Sequence, residues 1–123
     1  MIHLDTNFLI EALMAHSEAQ AKVQTWKNLS QELGISSIAW SEFLCGPLTH
    51  NEEALAGFLF PAPEPFLPSD AYKAAELFNA TGRRSRSLAD CQIAAVALRC
   101  DARLATSNVS DFGLFERHGL KMV

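Results

Sequence analysis

The residues Met1-Ile2-His3-Leu4-Asp5-Thr6-Asn7 set a pattern that the rest of the chain repeats. A mostly apolar run of four residues ends in Asp-Thr-Asn, and a helical pattern of apolar residues begins directly afterwards. This predicts a buried strand that leads into a helix. In an open parallel sheet, ligands bind beyond the carboxyl ends of the strands, so Asp5 is expected on the rim of that crevice. Helix N-capping is the alternative role for Asp5, Thr6 or Asn7.

The length of 123 residues predicts a single domain over residues 1–123, with one core and no linker. No apolar run approaches the roughly 20 residues of a membrane span, so no membrane segment is expected. The N-terminus lacks the basic region and cleavage site of a signal peptide, which predicts a cytoplasmic protein. The three cysteines are odd in number and widely spaced, which argues against a disulfide framework and against a zinc site.

The net charge is −4 and the pI is near 5.5, which is not the balance of a protein that coats nucleic acid. This charge balance does not exclude an enzyme that meets nucleic acid locally. If several carboxylates gather around divalent cations, the bound ions cancel much of the negative field.

Strands alternate with helices along the chain, which predicts a parallel sheet of four to five strands covered on both faces. A long helix should begin at Ser17-Glu18 and end at Gly34, and four prolines in 61–68 leave room for at most a short edge strand around 65–67. The further expected elements are strands at 35–38, 102–106 and 120–123, helices at 39–45, 51–60, 70–81 and 91–100, and a helical turn within 112–119.

Four acids follow strands or open helices in this reading. Asp5 and Asp111 come after predicted strands, and Glu42 and Asp90 lie near the starts of predicted helices. A solvated helical glutamate is the alternative for Glu42, and a capping box with Ser87 is the alternative for Asp90. Because converging carboxylates repel, divalent cations would be needed to compensate their charge, and Mg²⁺ prefers such oxygen ligands. Two such ions can support in-line attack on a phosphodiester.

The only dense basic cluster is Arg83-Arg84-Ser85-Arg86, directly before the segment that carries Asp90. Usually such a run is a solvated loop, and the position of this one beside Asp90 is what gives it interest.

Four ordered motifs together resemble a PIN-domain nuclease, and more narrowly a VapC-type toxin of a bacterial or archaeal toxin–antitoxin pair. They are Leu4-Asp5-Thr6-Asn7, Ser41-Glu42-Phe43-Leu44-Cys45-Gly46, Ser87-Leu88-Ala89-Asp90-Cys91-Gln92-Ile93-Ala94-Ala95 and Leu104-Ala105-Thr106-Ser107-Asn108-Val109-Ser110-Asp111-Phe112. The resemblance covers essentially the whole chain. It implies a three-layer α/β/α domain and a ribonuclease that cuts RNA with Mg²⁺ or Mn²⁺.

The resemblance also implies roles for single residues. Asp5 and Asp90 would bind the principal metal ion, Glu42 would complete the acidic centre, and Thr6 would orient Asp5 through its hydroxyl. Asn108 occupies a position that is often acidic in the family, and Asp111 follows three residues later. Either Asp111 serves a second ion, or that ion is held weakly and arrives with the substrate. Arg83, Arg84 and Arg86 could bind RNA phosphates beside the metal ions, a contact that carries no sequence information.

The partners that the resemblance implies are a second copy of the chain, in a homodimer, and a VapB-like antitoxin. Such an antitoxin would block the site, often by inserting a basic side chain among the carboxylates. Trp26, Phe58 and Phe60 would suit partner surfaces if they were exposed, and burial in the core is the alternative for each.

Two other enzyme classes place acids at strand ends. A haloacid-dehalogenase-type phosphatase needs a second aspartate two residues after the first, and position 7 is Asn. A receiver domain needs an aspartate at the end of its third strand, which this sequence does not offer. The non-enzymatic alternative is a catalytically weak PIN-like module that binds RNA or protein.

Overall fold

The computed structural model describes all residues, 1–123. Its strands are β1 (Ile2–Leu4), β2 (Leu33–Ile35), β3 (Arg103–Ala105) and β4 (Lys121–Met122). Its helices are α1 (Thr6–Ala12), α2 (Glu18–Asn28), α3 (Ser37–Leu44), α4 (His50–Leu59), α5 (Pro68–Ala80), α6 (Leu88–Arg99) and α7 (Val109–Phe112), followed by a 3₁₀ helix (Gly113–His118).

The four strands form one parallel sheet in the order β2-β1-β3-β4, and helices cover both of its faces. The predicted α/β class with a parallel sheet of four to five strands is therefore confirmed. At the end of β1, Leu4 pairs with Ile35 on one side and Ala105 on the other, so the residues after these three strands lie side by side. None of the helices is long and apolar enough to cross a membrane.

The core lies between β1 and the helices that pack on the sheet. Helix α6 is its centre: Cys91 and Ile93–Ala97 are buried, as expected for a helix that is apolar nearly all round. It packs on α5 and on α3, whose Phe43 is fully buried. Ser36 begins α3 because its hydroxyl accepts the N–H of Ala39 at 3.1 Å. The packing of α6 against α3 brings Asp90 of α6 close to Glu42 of α3.

The second helix is shorter than predicted, and β2 begins earlier. Helix α2 ends at Asn28, because Ser30 takes a left-handed backbone conformation with φ 57°. Gly34 is therefore not a helix stop but the middle residue of β2, opposite His3. A Cβ at position 34 would lie 2.8 Å from the His3 imidazole, so a larger residue there would require His3 to shift.

The proline-rich segment forms no strand at 65–67; Glu64 makes a single bridge to Ser36 instead. Arg99 holds this segment through Glu64 Oε1 at 2.9 Å and the carbonyl of Pro65 at 2.9 Å. Its Nε also binds the buried Asp70 carboxylate at 2.9 Å. Side-chain bonds to one arginine thus replace the ladder bonds that proline cannot form.

Candidate functional site

Three of the four predicted acids line one small cavity at the carboxyl edge of the sheet. Asp5, Glu42 and Asp90 share this cavity of about 90 Å³ with Thr6, Asn7, Ile93, Asn108 and Phe112. A larger cavity of about 390 Å³ lies beside Arg99, but the Asp70 carboxylate there is already neutralised by that arginine. Charge and donor chemistry, not volume, therefore make the smaller cavity the candidate site.

Asp5 is fixed by two hydrogen bonds and is almost completely buried. One carboxylate oxygen accepts the N–H of Phe8 at 2.8 Å, which makes Asp5 the N-cap of α1, and the other accepts the Thr106 hydroxyl. Burial raises the Asp5 pKa, and the bonds from Thr106 and Phe8 oppose that rise. Asp5 can therefore cap α1 and line the cavity at the same time, because only one of its two oxygens is used for capping.

Glu42 is oriented by Thr6. The Thr6 hydroxyl lies 2.8 Å from Glu42 Oε1 and 3.3 Å from the carbonyl of Ala39, and it makes no hydrogen bond to the Asp5 carboxylate. The expectation that Thr6 orients Asp5 is wrong, since the side chain of Thr6 turns towards α3 at the start of α1. Thr6 directly follows Asp5 in the chain, so its hydrogen bond holds the exposed Glu42 side chain of α3 close to the start of α1.

Asp90 accepts no hydrogen bond. The capping box with Ser87, the alternative role for Asp90, is absent, because the Ser87 hydroxyl donates to the carbonyl of Arg84 at 2.8 Å instead of capping α6. The Asp90 pKa is raised to about 6, first by burial and then by the charges of Asp111, Glu42 and Asp5, against a smaller opposing effect of Arg84. The negative charges of the other three acids therefore all act on the Asp90 carboxylate.

Asp111 and Asn108 lie at the outer side of the cavity. Asn108 lines it, precedes α7 and makes no side-chain hydrogen bond. Asp111, in α7, does not line the cavity and pairs with Arg84 at 3.6 Å instead. The structure thus brings Asp111 near Asp90 but towards a cation of the chain itself.

The three arginines of the 83–86 turn are placed differently from one another. Arg83 lies over the Phe78 ring at 5.3 Å and bonds to Asn79, both on α5. Arg86 is exposed and forms no ion pair. Only Arg84 faces the acidic edge.

Sequence reasoning missed Thr106, Ser107 and Glu11. Besides the Thr106 bond to Asp5, the Ser107 hydroxyl donates to Glu11 Oε2 at 2.6 Å, and the Glu11 charge raises the Asp5 pKa further. The signal that could have found Thr106 is the register of the parallel sheet. The residue after β3 must lie beside the residue after β1.

The donor set of the cavity suits a hard divalent ion, because it consists of carboxylate and amide oxygens. As the side chains stand, no three acidic, histidine or cysteine groups converge tightly enough to hold an ion. The acidic residues are therefore neighbours around a cavity, and an ion would have to draw their oxygens together.

The sequence matches the PIN domain family over residues 2–112. No curated protein matches it significantly. A toxin–antitoxin complex from Klebsiella pneumoniae contains a chain 25% identical, with coverage of 91% of this chain and 90% of that chain and a TM-score of 0.72. VapBC2 from Rickettsia felis, bound to a DNA fragment from its promoter, matches at 19% identity, 100% and 98% coverage and a TM-score of 0.76. FitAcB from Neisseria gonorrhoeae matches at 22% identity, 99% and 96% coverage and a TM-score of 0.72.

Proposed function

The chain belongs to the PIN domain family, and from this premise we propose that it is a metal-dependent endoribonuclease, the toxin of a toxin–antitoxin pair. Residues 1–123 act as one PIN-like domain that hydrolyses RNA phosphodiester bonds in the cytoplasm. The similar chain in the Klebsiella pneumoniae toxin–antitoxin complex supports the toxin assignment.

One observation carries the proposal: acids from three separate elements line the same cavity with no basic partner. Asp5 follows β1, Glu42 lies on α3 and Asp90 on α6, and none of them forms an ion pair. Elsewhere in the chain a buried carboxylate is neutralised, as Asp70 is by Arg99. Asp5 is buried and Asp90 half-buried, and since uncompensated carboxylates in such positions are costly, their grouping with Glu42 is best explained by a cation that is not part of the chain.

Asp5 and Asp90 would hold the principal Mg²⁺ or Mn²⁺ ion, and Glu42 would complete its acidic surroundings. Asp111 would serve a second ion. When bound, a divalent ion there supplies Lewis-acid stabilisation of the charge that develops on the phosphodiester. The partial exposure of Asp90 and the exposure of Glu42 leave both side chains free to turn towards it.

The residues around the carboxylates act as positioning groups. The N–H of Phe8 and the hydroxyl of Thr106 hold the two oxygens of Asp5, and the hydroxyl of Thr6 holds Glu42. This fixed geometry reduces the reorganisation needed when substrate binds. In the metal-free chain the Asp90 pKa is raised to about 6, and Asp90 must lose its proton to act as a ligand, so metal binding should weaken as the pH falls below that value.

RNA phosphates would be bound by the 83–86 turn. Arg84 lies beside Asp111, and Arg83 and Arg86 extend the positive charge along the exposed side of the turn. Contacts of this kind orient the RNA backbone without reading its bases, so the sequence that is cut must depend on other contacts.

The antitoxin would bind at an apolar groove between α1, α2 and α4. The groove measures about 270 Å³ and is lined by apolar residues that include Leu13, Val23 and Leu55. At its edge the Phe58 side chain is 77% exposed. Trp26 instead stacks on Phe8 and Phe60 is buried, so Phe58 is the member of the expected set that suits a partner surface. A second copy of the chain would complete the toxin as a homodimer.

The test is cleavage of RNA by purified wild type, D5N, D90N and D101N with Mg²⁺, with Mn²⁺ and with excess EDTA. Asp101 is a matched control, because it is an exposed acid between α6 and β3, away from the cavity. We expect cleavage by wild type and D101N that needs the metal, and a loss of at least about 100-fold in D5N and D90N.

Cleavage in EDTA, or undiminished cleavage by D5N or D90N, would contradict the proposal. RNA binding by all four proteins with no cleavage by any of them would favour the alternative, a PIN-like module that binds RNA or protein without cutting it.

A further inference from the structure

Arg84 is the basic side chain that lies against the acidic edge, and its contacts are incomplete. Its Nη1 is 3.6 Å from Asp111 Oδ1, beyond hydrogen-bond distance. Its Nε and Nη2 are buried without any hydrogen-bond partner. The guanidinium is therefore held beside the carboxylates mainly by their charge, and most of its donors are unused.

The backbone at Arg84 is fixed, so this placement does not depend on a mobile loop. The carbonyl of Arg84 accepts both the hydroxyl of Ser87 at 2.8 Å and its N–H at 3.2 Å. Ser87 is itself buried, directly before α6. The turn thus presents Arg84 towards Asp111, while Arg83 is directed onto Phe78 and Arg86 to solvent.

A guanidinium in this position has two effects of opposite sign. Its positive charge repels a divalent ion that approaches Asp111, because the two cations would share one carboxylate. Its Nη1 group is not buried and makes only the 3.6 Å contact with Asp111, so it can donate charge-assisted hydrogen bonds to a phosphate. An incoming RNA phosphate would therefore compete well for Arg84 and release Asp111.

We propose that Arg84 is an internal counter-ion that keeps a second divalent ion away from Asp111 until an RNA phosphate binds its guanidinium. This rests on the proposed function, since it presumes that the acidic cavity binds divalent ions. Both alternatives for the second ion then apply: Asp111 serves that ion, but the ion arrives with the substrate, because Arg84 excludes it until an RNA phosphate is bound.

The test is binding of Mn²⁺ to the purified protein without RNA, with free Mn²⁺ measured by electron paramagnetic resonance at low salt. Wild type should bind one ion tightly. R84Q should bind a second ion with about five- to tenfold higher affinity than wild type does, the order expected from removing one nearby charge. R83Q and R86Q remove the same charge from the same turn and should behave as wild type, as should R84K, which keeps the charge.

The gain in R84Q must depend on Asp111, so it should disappear in the double variant R84Q/D111N. Equal second-ion binding in wild type and R84Q, an equal gain in R83Q, or a gain that survives D111N would each overturn this inference alone. If neither wild type nor R84Q binds any Mn²⁺, the metal-dependent function fails as well, so the two failures are distinguishable.

Discussion

Replacing Asp90 by Asn should stabilise the protein in the absence of metal. The Asp90 pKa is raised from 3.8 to about 6, mainly by burial and then by the negative charges of Asp111, Glu42 and Asp5. A raised pKa means that the folded state binds this proton more tightly than the unfolded state. The free energy of unfolding therefore falls as the pH rises from about 4 to about 6. Above the pKa of the folded state, it stays at this reduced value. Asn does not ionise, so D90N removes that loss.

The size of the effect follows from the shift in pKa. A rise from 3.8 to about 6 is about two pKa units, and at about 1.4 kcal/mol per unit this sets a ceiling of about 3 kcal/mol. Because Asp90 is partly exposed, solvent screening reduces this to about 1–2 kcal/mol. For a domain of this size, that corresponds to a rise in Tm of roughly 3–10 °C.

The assay is urea unfolding of wild type, D90N and D101N in EDTA at about pH 7.5 and about pH 3.5, on either side of the titration. We expect D90N to be the most stable at the higher pH and equal to wild type at the lower pH. With excess Mn²⁺ at the higher pH, wild type should gain stability and D90N should not. A D90N variant no more stable than wild type at high pH, or equally stabilised at both pH values, would refute this reasoning.

Three further predictions concern other parts of the chain. G34A should lower the free energy of unfolding by about 1–3 kcal/mol in urea, because the new Cβ would lie 2.8 Å from the His3 imidazole; wild-type stability would show that His3 can move aside. R99M should lower it by about 3–5 kcal/mol at neutral pH, because Asp70 is left buried and unpaired, and a loss below about 1 kcal/mol would contradict this. Replacing all arginines of the 83–86 turn by Ala should weaken RNA binding and flatten its dependence on salt by about 0.7 per lost phosphate contact, and an unchanged slope would make the turn a solvated loop.

Much of the fold follows from local patterns. The buried strand at 2–4 and the apolar helix after Asp90 are determined by runs of apolar residues, which is why both were predictable. The start of β2 was not, because Gly34 looks like a helix stop until His3 is known to lie opposite it. The prolines allowed at most a short strand at 65–67, but the contact that holds this segment could not be predicted, since Arg99 is far away in sequence.

In the candidate site too, some features could be predicted from local sequence and others depend on contacts between distant residues. The positions of Asp5 and Asp90 depend on the strand or helix next to each of them, which the sequence displays directly. The hydrogen bond between Thr106 and Asp5 joins residues 101 positions apart, and only the strand register brings them together. The direction of the Thr6 hydroxyl likewise depends on where α3 packs against α1, which local sequence does not specify.

The central claim is that Asp5, Glu42 and Asp90 surround a site for a divalent ion. It is tested most directly by anomalous diffraction from crystals of the protein soaked in Mn²⁺. We predict an anomalous peak inside the cavity, with carboxylate oxygens of Asp5 and Asp90 as ligands and Glu42 turned towards it. A cavity without a peak at saturating Mn²⁺, or Mn²⁺ bound only elsewhere on the protein, would contradict the claim.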